Sequence, residues 1–311
     1  MMVKSLMQSG SDGLLGGEML LVTSAWPFGS GESFVGPEVE ELCSRGVLVR
    51  VLPQRGGGMP RGVPEGCIVD ESLLLMDSFR MLVLWSMLQT FWVVIREWAA
   101  DRSVSWIQLC AGWRHYSKIR RWLKTSPSRK RVKVYYAYWL GAAGAALAKY
   151  GQQSQPCLMR AHGSDLYNLV DGRAPAWRHA ALKSRCKLVA ISSVGMNYMK
   201  GLGVEDGRLS LHRLGTKGAD VRLRKRGREC GIAVWSCGYL NRVKRIDVLA
   251  RALVLAAQSR PQVPIAWDHA GDGPLRTEIE EELRQAPSNL MWNLLGNLAH
   301  GQVHQRLQGE G

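Results

Sequence analysis

Residues 18–53 read EMLLVTSAWPFGSGESFVGPEVEELCSRGVLVRVLP, and this stretch decides the fold. Glu18–Ala25 is an apolar run without helical period, the mark of a buried strand. A glycine-bearing loop, WPFGSGESF (26–34), follows it. Gly36–Arg45 then reads as a helix with Glu38, Glu40 and Glu41 near its start, where the helix dipole favours acids. Val47–Leu52 is the second strand. Strand, helix and strand in this order open a βαβ unit with parallel strands.

The alternation continues outward. Strands are predicted at Val132–Tyr138, Pro156–Ala161, Lys187–Ser192 and Arg208–Leu214, with helices at Leu140–Tyr150, Ala174–Lys183 and Val194–Leu202. A second series starts with strand Gly231–Ser236 and loop Cys237–Arg245. Helix Ile246–Ser259, strand Pro264–Ala270, loop Gly271–Gly273, helix Pro274–Gln285 and strand Leu290–Leu295 complete it. The pattern predicts an α/β protein with two Rossmann-like, doubly wound parallel-sheet domains. The expected boundaries are a disordered extension (1–17), an N-terminal domain (18–216), a basic connector (217–228) and a partial C-terminal domain (229–311). The second domain counts three strands where about six are usual.

The 311 residues include 41 Lys+Arg against 26 Asp+Glu, a net charge of +15. With 46% hydrophobic residues, the composition excludes a disordered chain, a collagen-like repeat and a disulfide miniprotein. The charge is uneven: residues 1–228 hold 33 basic and 17 acidic side chains, residues 229–311 hold 8 and 9. From Arg102 through Arg160 there are 12 Lys/Arg and no acid. Such a field attracts phosphorylated substrates, an anionic membrane surface or nucleic acid. No zinc-finger, RNP or helix-turn-helix signature accompanies it, which disfavours nucleic acid.

Leu73–Trp98 is the most apolar stretch. Its longest charge-free segment, Met81–Ile95, has 15 residues, short of the roughly 20 that span a bilayer. It reads first as a core helix and alternatively as a membrane-surface helix. Trp106–Lys124 is a basic amphipathic helix whose tryptophans favour an anionic membrane face. The seven cysteines form no CxxC pair and their number is odd, so no disulfide framework is expected and a reducing cytoplasm is. His300 and His304, four apart, lack a third ligand for zinc, and no metal is expected.

Three segments carry chemistry: Arg160-Ala161-His162-Gly163-Ser164-Asp165-Leu166-Tyr167 at the end of a strand, Ser236-Cys237-Gly238-Tyr239-Leu240-Asn241-Arg242-Val243-Lys244-Arg245 at a strand–loop–helix entry, and Ala270-Gly271-Asp272-Gly273-Pro274-Leu275. With Pro27-Phe28-Gly29-Ser30-Gly31-Glu32-Ser33-Phe34 and Leu294-Leu295-Gly296-Asn297-Leu298-Ala299-His300, this ordered set resembles retaining glycosyltransferases of family 4. The closest subgroup is the bacterial enzymes of capsular, exopolysaccharide or lipopolysaccharide assembly.

The resemblance covers residues 18–304 and implies the GT-B architecture. It implies transfer from a nucleotide-sugar donor to a lipid-linked saccharide with retained configuration, without metal or cofactor. Lys244 stands at the family's Lys position for the diphosphate. Tyr239 stands where an Arg is usual, leaving Arg242 and Arg245 as substitutes. His162 would sit beside the donor sugar. Gly29, Ser30 and Gly31 would form the loop over the donor phosphates or acceptor. Gly271, Asp272 and Gly273 would face the nucleotide, and Gly296 its base. Glu32, Arg160, Asp165 and Tyr167 would act as acceptor-side or loop residues, with Asp165 equally a helix cap.

The family's paired glutamates, with seven residues between them in an E-G-x-P context well beyond Gly271-Asp272-Gly273-Pro274-Leu275, have no counterpart after that segment. The implied expectation is a C-terminally truncated chain of doubtful activity, peripheral at the inner face of the cell membrane. The competing reading is a non-catalytic remnant serving as a basic membrane- or acceptor-binding module.

Overall fold

A computed structural model describes residues 17–29, 31–78, 80–168, 173–215 and 231–308. Residues 1–16 of the expected extension, the basic connector 217–228 and Ser30 lie outside the described residues. The chain divides into two compact units, Met1–Lys217 and Gly218–Gly311.

The first unit is built on a seven-stranded sheet in the order β3-β2-β1-β4-β5-β6-β7, with every pairing parallel. The strands are β1 (Glu18–Thr23), β2 (Leu48–Pro53), β3 (Cys67–Val69), β4 (Val132–Ala137), β5 (Cys157–Ala161), β6 (Lys187–Ala190) and β7 (Leu209–Leu211). β1 is apolar on both faces because both are covered. Leu20 and Val22 pack into one core with Tyr135, Ala137 and Met159, while Met19 and Leu21 pack into the other with Val49, Val51 and Tyr136. The strand order reverses between β1 and β4, so the loops at their carboxyl ends flank a crevice.

The helices of this unit are α1 (Val35–Ser44), α2 (Ser72–Leu75), α3 (Arg80–Leu88), α4 (Phe91–Ala100), α5 (Trp106–Thr125), α6 (Ala142–Tyr150), α7 (Gly163–Leu166), α8 (Arg178–Leu182) and α9 (Ser193–Gly201). The second unit has a parallel sheet in the order β10-β9-β8, from β8 (Ile232–Cys237), β9 (Ile265–Ala270) and β10 (Leu290–Gly296). Its helices are α10 (Ile246–Ser259), α11 (Arg276–Arg284) and α12 (His300–Gln308). Ile246, Ala250, Leu253, Trp267, Ile279 and Leu290 anchor its core.

Two expectations are corrected, and the strand β3 adds an element that the sequence pattern does not predict, three residues being too few to show a period. The span Leu73–Trp98 is not one core helix but α2, a 3-10 turn (Met76–Ser78), α3 and α4. The sheet face is already filled by α5, whose Leu109, Tyr116, Ile119, Trp122 and Leu123 are buried. The α3–α4 corner seats on α5 through a polar seam. The Ser86 hydroxyl donates to the Ser117 carbonyl at 3.0 Å, and Trp113 Nε1 donates to Thr90 Oγ1 at 2.8 Å. Met81, Leu84, Trp85, Leu88 and Trp92 consequently face outward. No helix among the described residues is long and apolar enough to cross a membrane. Finally, Cys157 and Cys186 form a disulfide beside the β5–β6 pairing.

Glu97, on α4, is buried. Burial pushes its carboxyl up to about 7, with the Ala180 backbone N–H and Arg96 pulling the other way. A raised carboxyl holds its proton more tightly in the folded state, so its contribution is complete below the ordinary value and lost as pH rises through 7. Glu97→Gln, which cannot ionise, is expected to stabilise the chain at pH 8 by about 2 kcal/mol. The gain should shrink at pH 5, as read from urea midpoints at the two pH values.

Candidate functional site

In the first unit the site is assembled from loops leaving the carboxyl ends of β1, β2, β4 and β5. Glu32 is nearly buried and closes the loop after β1 upon itself. Its carboxylate accepts the backbone N–H groups of Ser24 (3.0 Å), Ala25 (2.6 Å) and Trp26 (2.8 Å), and the indole N–H of Trp139. One anion thus binds the turn after β1 to the turn after β4. Glu32 holds φ at +53° to do so, a backbone region that side chains rarely occupy.

Gly29 lies in the same loop at φ +69°, against the glycine turn of residues 56–58. A Cβ on Gly58 would stand 2.9 Å from the Gly29 Cα. The two loops are tied by Gly29 N–H donating to Met59 O (3.3 Å) and Arg61 N–H to Pro27 O (3.0 Å). Gly31 has open space where a side chain would project.

His162 ends β5 and begins the short α7. Its backbone N–H donates to Asp165 Oδ1 at 2.6 Å, and its ring accepts the Asp165 backbone N–H in return. The opposite ring nitrogen, Nε2, donates to the Tyr138 carbonyl at 3.1 Å. Acceptor on one side and donor on the other describe a neutral imidazole. Burial, aided by the Arg160 charge, pushes its pKa down to about 4. The ring stacks within an aromatic group, 4.3 Å from Trp139 and 5.4 Å from Tyr138 between centroids.

Asp165 also accepts the Leu140 backbone N–H at 2.8 Å, joining the β5 loop to the β4 loop. Burial raises its carboxyl well above the ordinary range, against the pull of these N–H donors. Arg160 is 3% exposed. Its guanidinium donates to Glu38 (2.7 Å) and to the Tyr136 hydroxyl (2.7 Å). Tyr167 packs edge-on against Tyr198 at 4.9 Å.

Between these loops lies a cavity of about 320 Å³, walled by Ser24, Gln54, Arg55, Trp139 and the Leu140–Ala143 turn. The first turn of α6 opens onto it. Helix-start N–H groups beside an arginine suit an anion. Arg55 and Trp139 stand in loops whose sequence carries no motif that marks them.

In the second unit the carboxyl ends of all three strands are stitched together. Gly238 N–H donates to Ala270 O (2.9 Å), Leu240 N–H to Asp272 O (3.0 Å), and Gly271 N–H to Gly296 O (2.8 Å). A Cβ on Gly271 would come within 1.9 Å of the Gly238 carbonyl oxygen, and one on Gly273 within 2.5 Å of that of Leu240. Here only glycine fits.

Beneath them His269 is fully buried. Trp267 Nε1 donates to Ser236 Oγ (2.8 Å), the Ser236 hydroxyl donates to His269 Nδ1 (2.8 Å), and His269 Nε2 donates to the Gly238 carbonyl (3.0 Å). Burial lowers the imidazole pKa, keeping this chain of donors neutral. The signal for His269 was its place two residues after Trp267, on the core-facing side of an alternating strand.

The three cations of the loop do not stand alike. Arg242 is held bidentately by Glu278 (3.0 and 2.7 Å) and lies 3.5 Å from Asp247. Lys244 and Arg245 are exposed, with no ion pair among the described residues. Arg245 sits at φ +57° where α10 begins. Asp272 caps its own turn, accepting Gly273 N–H at 2.8 Å. Gly296 is at φ +71°. No group of three or more His, Cys, Asp or Glu among the described residues is arranged to hold a metal ion.

This fold, with parallel-sheet units of Rossmann type and loops gathered at their carboxyl ends, is that of GT-B glycosyltransferases. The apo lipopolysaccharide outer core galactosyltransferase WaaB superposes with a TM-score of 0.55 at 13% identity, over 94% of this chain and 71% of that one. WaaG, a glycosyltransferase involved in lipopolysaccharide biosynthesis, gives 0.53 at 14% identity over 88% and 69%. Anabaena HepE in complex with UDP and glucose gives 0.51 at 12% identity over 91% and 70%. The chain spans 37% of the length of S. aureus TarM. No family model and no curated protein matches the sequence.

Glu32→Ala leaves three backbone N–H groups and an indole N–H without their acceptor. Each stranded donor costs about 1–3 kcal/mol, so a loss of about 3 kcal/mol or more is expected in urea unfolding. A loss below about 1 kcal/mol would mean that the loops hold without the carboxylate.

Proposed function

We propose that the chain is a retaining glycosyltransferase of the family 4 type. It would move a sugar from a nucleotide donor to a lipid-linked saccharide in surface polysaccharide synthesis, without a metal. The observation that carries this reading is the stitched carboxyl edge of the second unit, set within a GT-B fold. Gly271 and Gly273 pack their backbone against the Gly238 and Leu240 carbonyls, and Lys244 and Arg245, without an ion pair among the described residues, stand at the same edge.

Lys244 and Arg245 would take the diphosphate, where a guanidinium binds two oxygens at once. Arg242, engaged by Glu278, would hold the loop rather than the phosphate. Departure of the nucleotide would be driven by these charges as negative charge develops on the bridging oxygen. Both ring nitrogens of His162 are occupied, so its contact with a donor sugar would run through the backbone carbonyl. The neutral ring supports the turn from below.

In a thermal-shift titration, UDP at about 100 times its Kd should add about 2.7 kcal/mol of stability. Lys244→Ala should weaken UDP binding about tenfold. Absence of any shift with UDP and GDP, together with no label transferred from UDP- or GDP-sugars, would overturn this reading.

The anionic membrane surface belongs to the same proposal. Trp85 is 62% exposed and Trp92 74% exposed on α3 and α4, with Leu88 and Met81 beside them. Arg96 is exposed one turn after Trp92 on α4, and α5 carries Arg120, Arg121 and Lys124, while Arg114 and Lys118 are paired with Asp77. Apolar rings flanked by cations suit an interfacial position on an acidic bilayer, at the cytoplasmic face. The binding-module alternative is favoured by one observation, the commitment of Arg242 to Glu278 in a loop that carries Tyr239. Flotation with acidic vesicles is expected for the wild type and lost in Trp85→Ser/Trp92→Ser. Flotation without any UDP shift would favour the module over the enzyme.

A further inference from the structure

Where α5 ends and β4 begins, Lys124, Thr125, Ser126, Arg129, Lys130 and Gln152 wall a cavity of about 330 Å³. Its place in the fold separates it from the sites described above. Val132 enters β4 immediately after the 3-10 turn Pro127–Arg131, and Gln152 lies in the loop that leads from α6 into β5. The cavity therefore sits at the amino-terminal edge of the sheet. The six residues of β4 put about 20 Å between it and the carboxyl edge.

The chemistry of the walls is one-sided. Three cationic and two hydroxyl-bearing residues line a concavity that no carboxylate residue lines. Arg129 Nε is shielded from solvent and has no acceptor among the described residues. Lys124 shares the Tyr150 ring (5.7 Å) with Arg120 (5.5 Å) and Lys149 (5.8 Å), which add two further charges next to the same wall. Glu18, at the start of β1 on the same edge of the sheet, is taken by Arg50 (2.6 Å) and Arg131 (3.0 Å). Like charges held together in a concavity raise the local potential, and an anion relieves it.

The walls are also fixed. Gln152 donates through Nε2 to the Arg129 carbonyl (3.4 Å), and its own carbonyl accepts from Arg185 (3.1 Å). Thr125 donates to the Arg121 carbonyl at 3.0 Å. The volume is at the small end of ligand sites, which run from about 300 Å³ upward. It suits a single phosphate group with its substituent.

We propose that this cavity is a phosphate-group site, distinct from the sites at the carboxyl edges. Its ligand is a phosphate mono- or diester, supplied by a lipid headgroup or by a free phosphorylated molecule. Arg129 gives the planar, bidentate contact and Lys124 and Lys130 the surrounding charge.

The test is calorimetric titration of the full chain with inorganic phosphate, beside binding to phosphatidylcholine vesicles carrying about one-third phosphatidylglycerol. With UDP present to fill the proposed diphosphate site, saturable phosphate binding near one equivalent per chain is expected, weakened about tenfold in Arg129→Gln/Lys130→Gln. The charge-matched Lys183→Gln/Lys200→Gln should stay within about twofold. Lys130→Gln alone, at an exposed position, keeps the comparison open should the pair fail to fold. Vesicle binding that falls with the pocket variant and is competed by phosphate assigns a lipid headgroup. Vesicle binding indifferent to the variant, with phosphate binding lost, assigns a free phosphate group. No saturable phosphate binding, or equal weakening by both pairs of substitutions, would overturn the proposal in favour of diffuse surface charge.

Discussion

The carboxylate of Glu32 is the interaction on which the first unit's site depends. Parallel strands deliver all their carboxyl ends to one edge, and the loops that leave there carry backbone N–H groups that no ladder satisfies. A single buried anion collects three of them from the turn after β1 and adds the indole of Trp139 from the turn after β4. Because these two strands flank the reversal of strand order, the bond spans the crevice where such sheets take ligands. Asp165 repeats the device one strand further on, joining the β4 and β5 loops through Leu140 and His162.

The second unit solves the same problem with a neutral group. His269, Ser236 and Trp267 pass hydrogen bonds in one direction to the Gly238 carbonyl, so the loop that leads to Lys244 starts from a fixed point. A histidine serves here because burial keeps it uncharged while leaving one donor and one acceptor. The glycines above it are set by contact: the carbonyls of Gly238 and Leu240 occupy the space a Cβ would need. Clamps of this kind hold binding loops in place before a ligand arrives, which lowers the ordering cost of binding.

Much of this was legible in the sequence. The strands and most helices followed from hydrophobic runs, and the motifs around His162, Gly238 and Gly271 fell at strand ends as their spacing implied. The misses have physical causes. Leu73–Trp98 carries core-like composition but no statement of which surface will be free. Only the packing of α5 on the sheet decides that α3 and α4 turn tryptophans outward. Beside the roles their motifs imply, Arg160 and Arg242 are engaged by Glu38 and Glu278, 122 and 36 residues away. Partners at such separations are invisible to local pattern.

Hydrogen exchange of backbone amides, with and without UDP, tests the placement of the nucleotide at the carboxyl edge of the second sheet. Residues 238–245 and 271–273 are predicted to slow on adding UDP, while the amino-terminal edge around 124–130 stays unchanged. Unaltered exchange in both glycine loops, with slowing elsewhere, would contradict a nucleotide site at that edge.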